Sequence, residues 1–306
     1  MSRRPPRALG AAAGIVLDRV LPEPPGPVHP VVLFGLAMST FERRVHRDAR
    51  SRGLAHALVG VALGLGAGRL VGSTTLATTN AVAGRALGEA AHAVRRALDE
   101  GDLDGARALL PALAGRDPSS LSEAELARAV VESVAENTVD AVVAPAFWGA
   151  VAGAPGAFGF RAVNTLDSMV GHRSARYANY GWASARLDDA LAWLPARLTA
   201  ALVAVVRPRA AREIWAAVRT QAPAHPSPNA GVSEAAFAAA LGVRLGGTNR
   251  YGGRCEERAP LGMGRAPSVA DIERAVRLSE HVSAAMVAGL ALIGAATAVL
   301  GRRVRS

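Results

Sequence analysis

The stretch that decides the fold reads VESVAENTVDAVVAPAFWGAVAG from Val131 to Gly153, AVNTLDSMVGHRSARYANYG from Ala162 to Gly181, and ARLDD from Ala185 to Asp189. Carboxylates, Asn, His and Arg are set here among apolar, Gly-rich segments suited to a bilayer. A helix that only crosses lipid has no need of such groups, and each is costly near hydrocarbon. The stretch therefore predicts helices that are apolar for membrane reasons and polar for chemical ones. A second block, HPSPNAGVSE from His225 to Glu234, is built alike, with stiff prolines followed by Asn, Gly and Glu.

Working outward, four apolar runs approach membrane length: Leu54–Val71, Ala141–Phe158, Ala190–Val206 and Ser283–Leu300. The last has no charge and is about 18 residues long, at the short limit for a spanning helix. Its tail carries Arg302, Arg303 and Arg305, which predicts a cytoplasmic C-terminus, and the Arg-rich Glu42–Arg52 is expected on the same side. Ala141–Phe158 holds Pro145 and Pro155, and Ala190–Val206 holds Pro195 and Arg197, so one or both are expected to be broken or re-entrant. If both spanned, the Asn164–Asp189 and His225–Tyr251 blocks would face opposite sides. Val28–Phe41 reads as interfacial. Between the runs, Thr75–Glu100 has helical spacing, and Ser122 with Glu125 forms a capping box for a helix through Glu136. Ser268–His281 reads as a soluble amphipathic helix leading into the last run. Strand signals are scarce.

The chain has 306 residues, half of them hydrophobic and few aromatic. An Ala, Val, Leu and Gly composition of this kind favours packed helices over sheets. We expect an all-α polytopic membrane bundle, 1–306 as a single unit, with broken or re-entrant helices and amphipathic connectors. Asp18 and Arg19 interrupt the apolar start, so no cleavable signal peptide is expected. All 35 basic residues are Arg. Without Lys there is no Walker-type P-loop, no Schiff base and no Lys nucleophile. The net charge of +10 suits anionic lipid or phosphorylated ligands. Nucleic acid is not expected, since no recognition motif accompanies the dispersed Arg. Cys255 is the single cysteine, which excludes an internal disulfide.

Several constellations carry candidate chemistry. Glu132, Glu136 and Asp140, four apart, form one carboxylate stripe on a helix, suited to a hard cation or, more simply, to a solvated face. Asn164 and Asp167 share a helical face, and Gly171 presents His172 and Arg173. His172 is a candidate base, and Arg173 and Arg176 a candidate anion clamp; a satisfied structural His is the plainer alternative. Asp188 and Asp189 read either as metal–phosphate ligands or as a helix N-cap. Ser227 and Asn229 are natural caps, and Gly231 allows close approach, so amides there could bind phosphate. The Gly-rich Leu245–Gly253, with Asn249 and Tyr251, is a second turn of that kind.

These blocks together resemble the adenosylcobinamide-phosphate synthase family of cobalamin biosynthesis. The matching phrases are LDRV and HPVVLFG near the start, then GRDPSSLSEAELARAVVESVAENTVD, NTLDSMVGHRSARY, ARLDDALAWLPARLTA, HPSPNAGVSEAAFAAALGV and the spaced LGG, Asn, Tyr and Gly. They keep their order over nearly the whole chain. His172-Arg173 stands where the resemblance leads one to expect an aromatic-Lys pair, and Pro118 where Thr is more usual. The resemblance implies an integral protein of the cell's cytoplasmic membrane that joins adenosylcobyric acid to (R)-1-amino-2-propanol or its O-phosphate, using ATP with Mg²⁺. Other membrane enzymes of the corrinoid pathway are implied as neighbours. On that chemistry His172, His225 and Asp167 are the catalytic candidates. Glu136, Asp140, Asp188 and Asp189 are the metal candidates. Asn137, Asn164, Arg173, Arg176, Ser227, Asn229, Gly231, Asn249 and Tyr251 are the substrate-binding candidates. A polytopic transporter of a small anionic solute is the alternative, since broken helices with buried polar groups also build ion sites.

Overall fold

The computed structural model describes residues 6–303 except 23, 25, 173 and 252–253; side chains at 249–255 and 301–303 lie outside the description. In chain order the helices are α1 (Arg7–Val20), α2 (Pro30–Val45), α3 (Arg50–Val71), α4 (Thr74–Ala81), α5 (Gly84–Asp99), α6 (Leu103–Leu109), α7 (Glu123–Thr138), α8 (Ala144–Ala152), α9 (Ala154–Leu166), α10 (Trp182–Val206), α11 (Ala211–Thr220) and α12 (Ala230–Leu241). A hairpin, β1 (Leu245–Tyr251) and β2 (Arg254–Leu261), precedes the final helix α13 (Val269–Arg303). The all-α expectation holds. The hairpin is an addition the strand signals did not announce, because its first strand is Gly-rich rather than β-branched.

Among the described residues, three helices are long and apolar enough to cross a membrane: α3, α10, and α13 over Val269–Leu300. Many of their large apolar side chains point outward. Leu58 and Leu63 of α3, Leu194 and Val205 of α10, and Leu292 and Ile293 of α13 are exposed. In water such a surface would aggregate, whereas in lipid it is the favourable one. The protein is a membrane protein. The run Ala141–Phe158 is broken, as its prolines predict. It becomes a π turn at Val139–Val143, then α8, then α9 after Gly153, whose φ of +71° only glycine adopts easily. Ala190–Val206 is not broken; it belongs to α10, which carries Pro195 inside it. Two readings are corrected. Thr75–Glu100 is two helices, α4 and α5, separated at Val82 and Ala83, and Ser268–His281 is the first part of one continuous 35-residue helix.

The chain divides into two compact units. One comprises 1–83, 144–192 and 286–306. Its central contact is a glycine seam. Gly60, Gly64 and Gly68 recur every four residues on α3, all buried against α9. A Cβ at Gly64 would stand 2.6 Å from the Ala162 Cβ and 2.8 Å from the Phe158 carbonyl oxygen. At Gly60 it would meet Leu166 at 2.6 Å. Glycine here lets two backbones approach, which is how helices associate where lipid removes the hydrophobic drive. Elsewhere in the unit, Gly10 and Gly14 of α1 pack onto Thr74 and Thr78 of α4.

The second unit comprises 84–143 and 193–285. The capping box opens α7 as expected: Ser122 Oγ accepts from the Glu125 amide, and Glu125 accepts from the Ser122 amide at 2.8 Å. From there α7 buries Leu126, Val130, Val131 and Val134. α12 is buried along most of its length, with Ala and Gly supplying close contacts.

Gly64→Leu should destabilise the detergent-purified protein by about 1–3 kcal/mol through overpacking. Gly66→Ala, with nothing within 4 Å of its Cβ, should leave the thermal midpoint unchanged or slightly higher. A thermal unfolding scan of the two variants checks both outcomes.

Candidate functional site

In the second unit the functional side chains converge on α7 and α12. Glu132 is 2 % exposed and takes a hydrogen bond from Arg116 Nη2 at 2.6 Å. Its other oxygen accepts from the Gly246 amide at 2.8 Å. Arg128, one turn earlier, donates to the carbonyl oxygens of Gly246 and Thr248. The Gly-rich segment read as a phosphate turn is thus the start of the hairpin, pinned to α7. Gly246 and Gly247 have φ of +86° and +93°, and a Cβ on Gly246 would collide with the Ala259 carbonyl. Asn249 and Tyr251 have side chains outside the described set.

The His225–Glu234 loop folds on itself. Ser227 Oγ accepts from the amides of Asn229 and Ala230, so it caps α12. Gly231 lets the loop close, since a Cβ there would stand 2.5 Å from the His225 Cβ. Asn229 Oδ1 accepts from Arg197 Nη1 at 3.0 Å. His225 Nε2 lies 3.1 Å from Arg258 Nη1 and 3.6 Å from Glu234 Oε1. A guanidinium can only donate, so Nε2 faces Arg258 as an acceptor, while Nδ1 lies 3.1 Å from the Ser227 amide nitrogen and 3.2 Å from the Ser227 carbonyl oxygen. Burial, and then the Arg258 charge, push its pKa below the ordinary imidazole value. Glu234 is 1 % exposed, and neither carboxylate oxygen has a hydrogen bond. Burial, with Glu132 and Glu136 nearby, holds it well above the carboxylate range. Glu136, whose side chain is accessible, is raised too, by desolvation first and by the neighbouring Glu132.

The carboxylate stripe on α7 is not continuous. Glu132 is buried and Glu136 accessible, and Asp140 falls in the π turn, which resets the 3.6-residue register. Asn137 Nδ2 donates back to Ser133, to its carbonyl at 2.9 Å and its Oγ at 3.2 Å.

In the first unit the Asn164 face continues into another π turn, Asp167–Gly171. The two π turns share a sequence: Asn137-Thr-Val-Asp140 in one unit and Asn164-Thr-Leu-Asp167 in the other. π turns concentrate at functional sites, and this doubled Asn-Thr-apolar-Asp phrase is a signal that reading the runs one at a time misses. Asn164 Nδ2 donates to Asp188 Oδ1 at 3.3 Å, and Asp189 pairs with Arg186 at 3.3 Å. The Asp pair lies inside α10, two turns from its start, so it is not the N-cap that its alternative reading assigned.

His172 and the loop after it are held by acids that the sequence motifs did not single out. Glu42 accepts from Arg176 Nη2 and from the Tyr177 hydroxyl, both at 2.9 Å. Asp48 accepts from the Asn179 and Tyr180 amides, both at 2.8 Å. His172 stands edge-on to Tyr177, with ring centroids 5.1 Å apart, and is exposed. Arg176 is therefore committed to Glu42, and Arg173 lies outside the described residues. The signal for Glu42 and Asp48 was their isolation, as the two acids within the Arg-rich 42–52 stretch. Among the described residues, no group of three or more His, Cys, Asp or Glu is arranged to hold a metal ion.

The family model for the CobD/Cbib protein matches residues 11–279. The chain belongs to the CobD/Cbib family. Among relatives, the cobalamin biosynthesis protein CobD of Mycobacterium tuberculosis (strain CDC 1551 / Oshkosh) is 47% identical over 294 residues, covering 91% of this chain and 93% of its own. CobD of Chromobacterium violaceum is 46% identical over 288 residues, with 89% and 91% covered. CobD of Halalkalibacterium halodurans is 38% identical over 308 residues, with 94% and 96% covered. No solved structure matches the chain. The family resemblance read from the ordered phrases is borne out.

Arg116→Ala would strand the buried Glu132 carboxylate and should cost about 3–5 kcal/mol, read by thermal unfolding. Burial alone would raise Glu42, but hydrogen bonds from Arg176 and Tyr177 more than reverse it; Asp48 is lowered first by the Tyr180 amide and then by Asn179. Both acids are depressed, so their support is complete above about pH 4.5 and is lost as pH falls through the lowered folded values. Hydrogen exchange at Asn179 and Tyr180, corrected for intrinsic rates, should speed up in that acid range, and Asp48→Asn should be fast at neutral pH already.

Proposed function

We propose that this CobD/Cbib family member joins adenosylcobyric acid to (R)-1-amino-2-propanol or its O-phosphate in an ATP-dependent amide ligation. What carries the reading is the family match over 11–279, combined with the ordered polar phrases in a chain that has three helices able to span a membrane. Membership of this family makes the chain an enzyme of cobalamin biosynthesis. The ligation chemistry and the placement in the cytoplasmic membrane, beside other corrinoid-pathway enzymes, are our inference.

A carboxylate is a poor acyl donor. Transfer of the ATP γ-phosphoryl group to the corrinoid carboxylate gives an acyl phosphate and ADP. The amine nitrogen then attacks the acyl carbon, the C–O bond to phosphate breaks, and the ammonium proton must leave. His225 is our candidate to take that proton: it is buried, and accepting the proton at Nε2 requires Arg258 to move off that atom. The pinned loop carrying His172 is a second base candidate. Asp167, Asn137 and Asn164, at or next to the π turns, are the remaining polar candidates. Because Ser227 caps α12 and Arg176 is paired with Glu42, phosphate binding by these two requires those partners to be exchanged.

The carboxylates among the described residues do not by themselves make a cation cage. An Mg²⁺ ion ordinarily uses one or two carboxylates and completes its shell with substrate phosphates and water. Glu136, Asp140, Asp188 and Asp189 are the acids available for that.

Detergent-purified protein given adenosylcobyric acid, ATP, Mg²⁺ and aminopropanol phosphate should yield a corrinoid heavier by the condensed amine, and none without ATP. Mass spectrometry of the corrinoid reads this. Absence of product with either the free or the phosphorylated amine, from folded protein, would sink the ligase reading. Asp140→Ala and Asp189→Ala should each reduce turnover; full activity in both would overturn the metal assignment.

A further inference from the structure

The Glu234 carboxylate is the most anomalous buried group in the second unit. It sits in the second turn of α12, is 1 % exposed, and neither oxygen is hydrogen bonded. Leaving a buried carboxyl unmatched costs stability, and simple replacement would relieve it. Groups of that kind persist where a ligand supplies the missing partner.

The neighbours define what that partner is. Glu132 is satisfied by Arg116 and the Gly246 amide. Arg128 is spent on backbone carbonyls and stands 4.0 Å from Glu132. Arg258 lies against His225. Glu136 is accessible, and both it and Glu132 are close enough to raise Glu234 electrostatically. Arg258 and Arg116 act on Glu234 electrostatically, but neither hydrogen-bonds to it, so the acid, 3.6 Å from the His225 ring, still lacks a donor at hydrogen-bond distance. A metal is not favoured, because no metal-binding group is formed among the described residues.

We propose that Glu234 and His225, entered past Glu136, form a subsite for a small primary ammonium ion. Within the ligase reading, on which this rests, the ligand is the amine substrate, and Glu234 binds and positions its nitrogen.

The test uses the full chain in detergent with 1-amino-2-propanol as the probe. Amine binding is followed calorimetrically in wild type and Glu234→Gln, and KM is measured for each substrate. Glu234→Gln keeps the shape but cannot ionise when the ammonium ion arrives. The expected result is an amine Kd and KM raised roughly tenfold or more, the loss of one charge-assisted hydrogen bond. KM for ATP and corrinoid should not change, and the thermal midpoint should be equal or higher. An unchanged amine affinity overturns the proposal. So does a fall in the thermal midpoint or failure to fold, because the carboxylate would then be a structural partner. If wild type binds the amine and Glu234→Gln does not, yet no amide forms, the subsite stands and the ligase reading fails.

Discussion

Close approach of backbones is the constraint on which the first unit depends. Gly60, Gly64 and Gly68 bring α3 against α9 so tightly that no side chain fits between them. In a bilayer, leucine is as comfortable against lipid as against another helix, so packing must come from contact area and not from expulsion of water. The seam holds α9 in place, and α9 carries Asn164 and leads into the Asp167 π turn. Large apolar residues are left to the outer faces of α3, α10 and α13, where lipid receives them.

Polar groups are treated in the opposite way, by pairing. Arg116 with Glu132, Arg176 with Glu42, and Asp48 with the Asn179 and Tyr180 amides each remove a charge from isolation. Those pairs also shape the architecture: Glu132 and Arg128 anchor the hairpin, and Glu42 and Asp48 pin the loop after His172. Against that background Glu234 is conspicuous, because among the described residues no donor hydrogen-bonds to it. The structural acids find donors; this one does not.

Part of the site was legible from the order of residues alone. The phrases around Asn137, Asn164, Asp188 and His225 stand out because polar residues interrupt apolar runs. The break within Ala141–Phe158 followed from its prolines, and the capping box at Ser122 from its spacing. Other features were hidden. Spacing of four put Glu132, Glu136 and Asp140 on one face, but a π turn inserts an extra residue and turns Asp140 away from that register. Pro195 looked like a break and is carried within α10. Leu245–Gly253 read as a Gly-rich turn, whereas Gly246 and Gly247 sit at the start of a hairpin strand held by Glu132 and Arg128, more than a hundred residues earlier.

The sequence by itself determined the class of protein: helical, membrane-embedded, Lys-free, and of the CobD/Cbib family. Hydropathy, helix caps and ordered phrases are local properties, readable along the chain. Only the tertiary structure decided which acids are spent and which remain unmatched. Glu132, Glu136 and Glu234 look alike in a sequence. They differ because hydrogen bonds and desolvation are set by residues distant in the chain, and pairing of that kind is a property of three-dimensional placement.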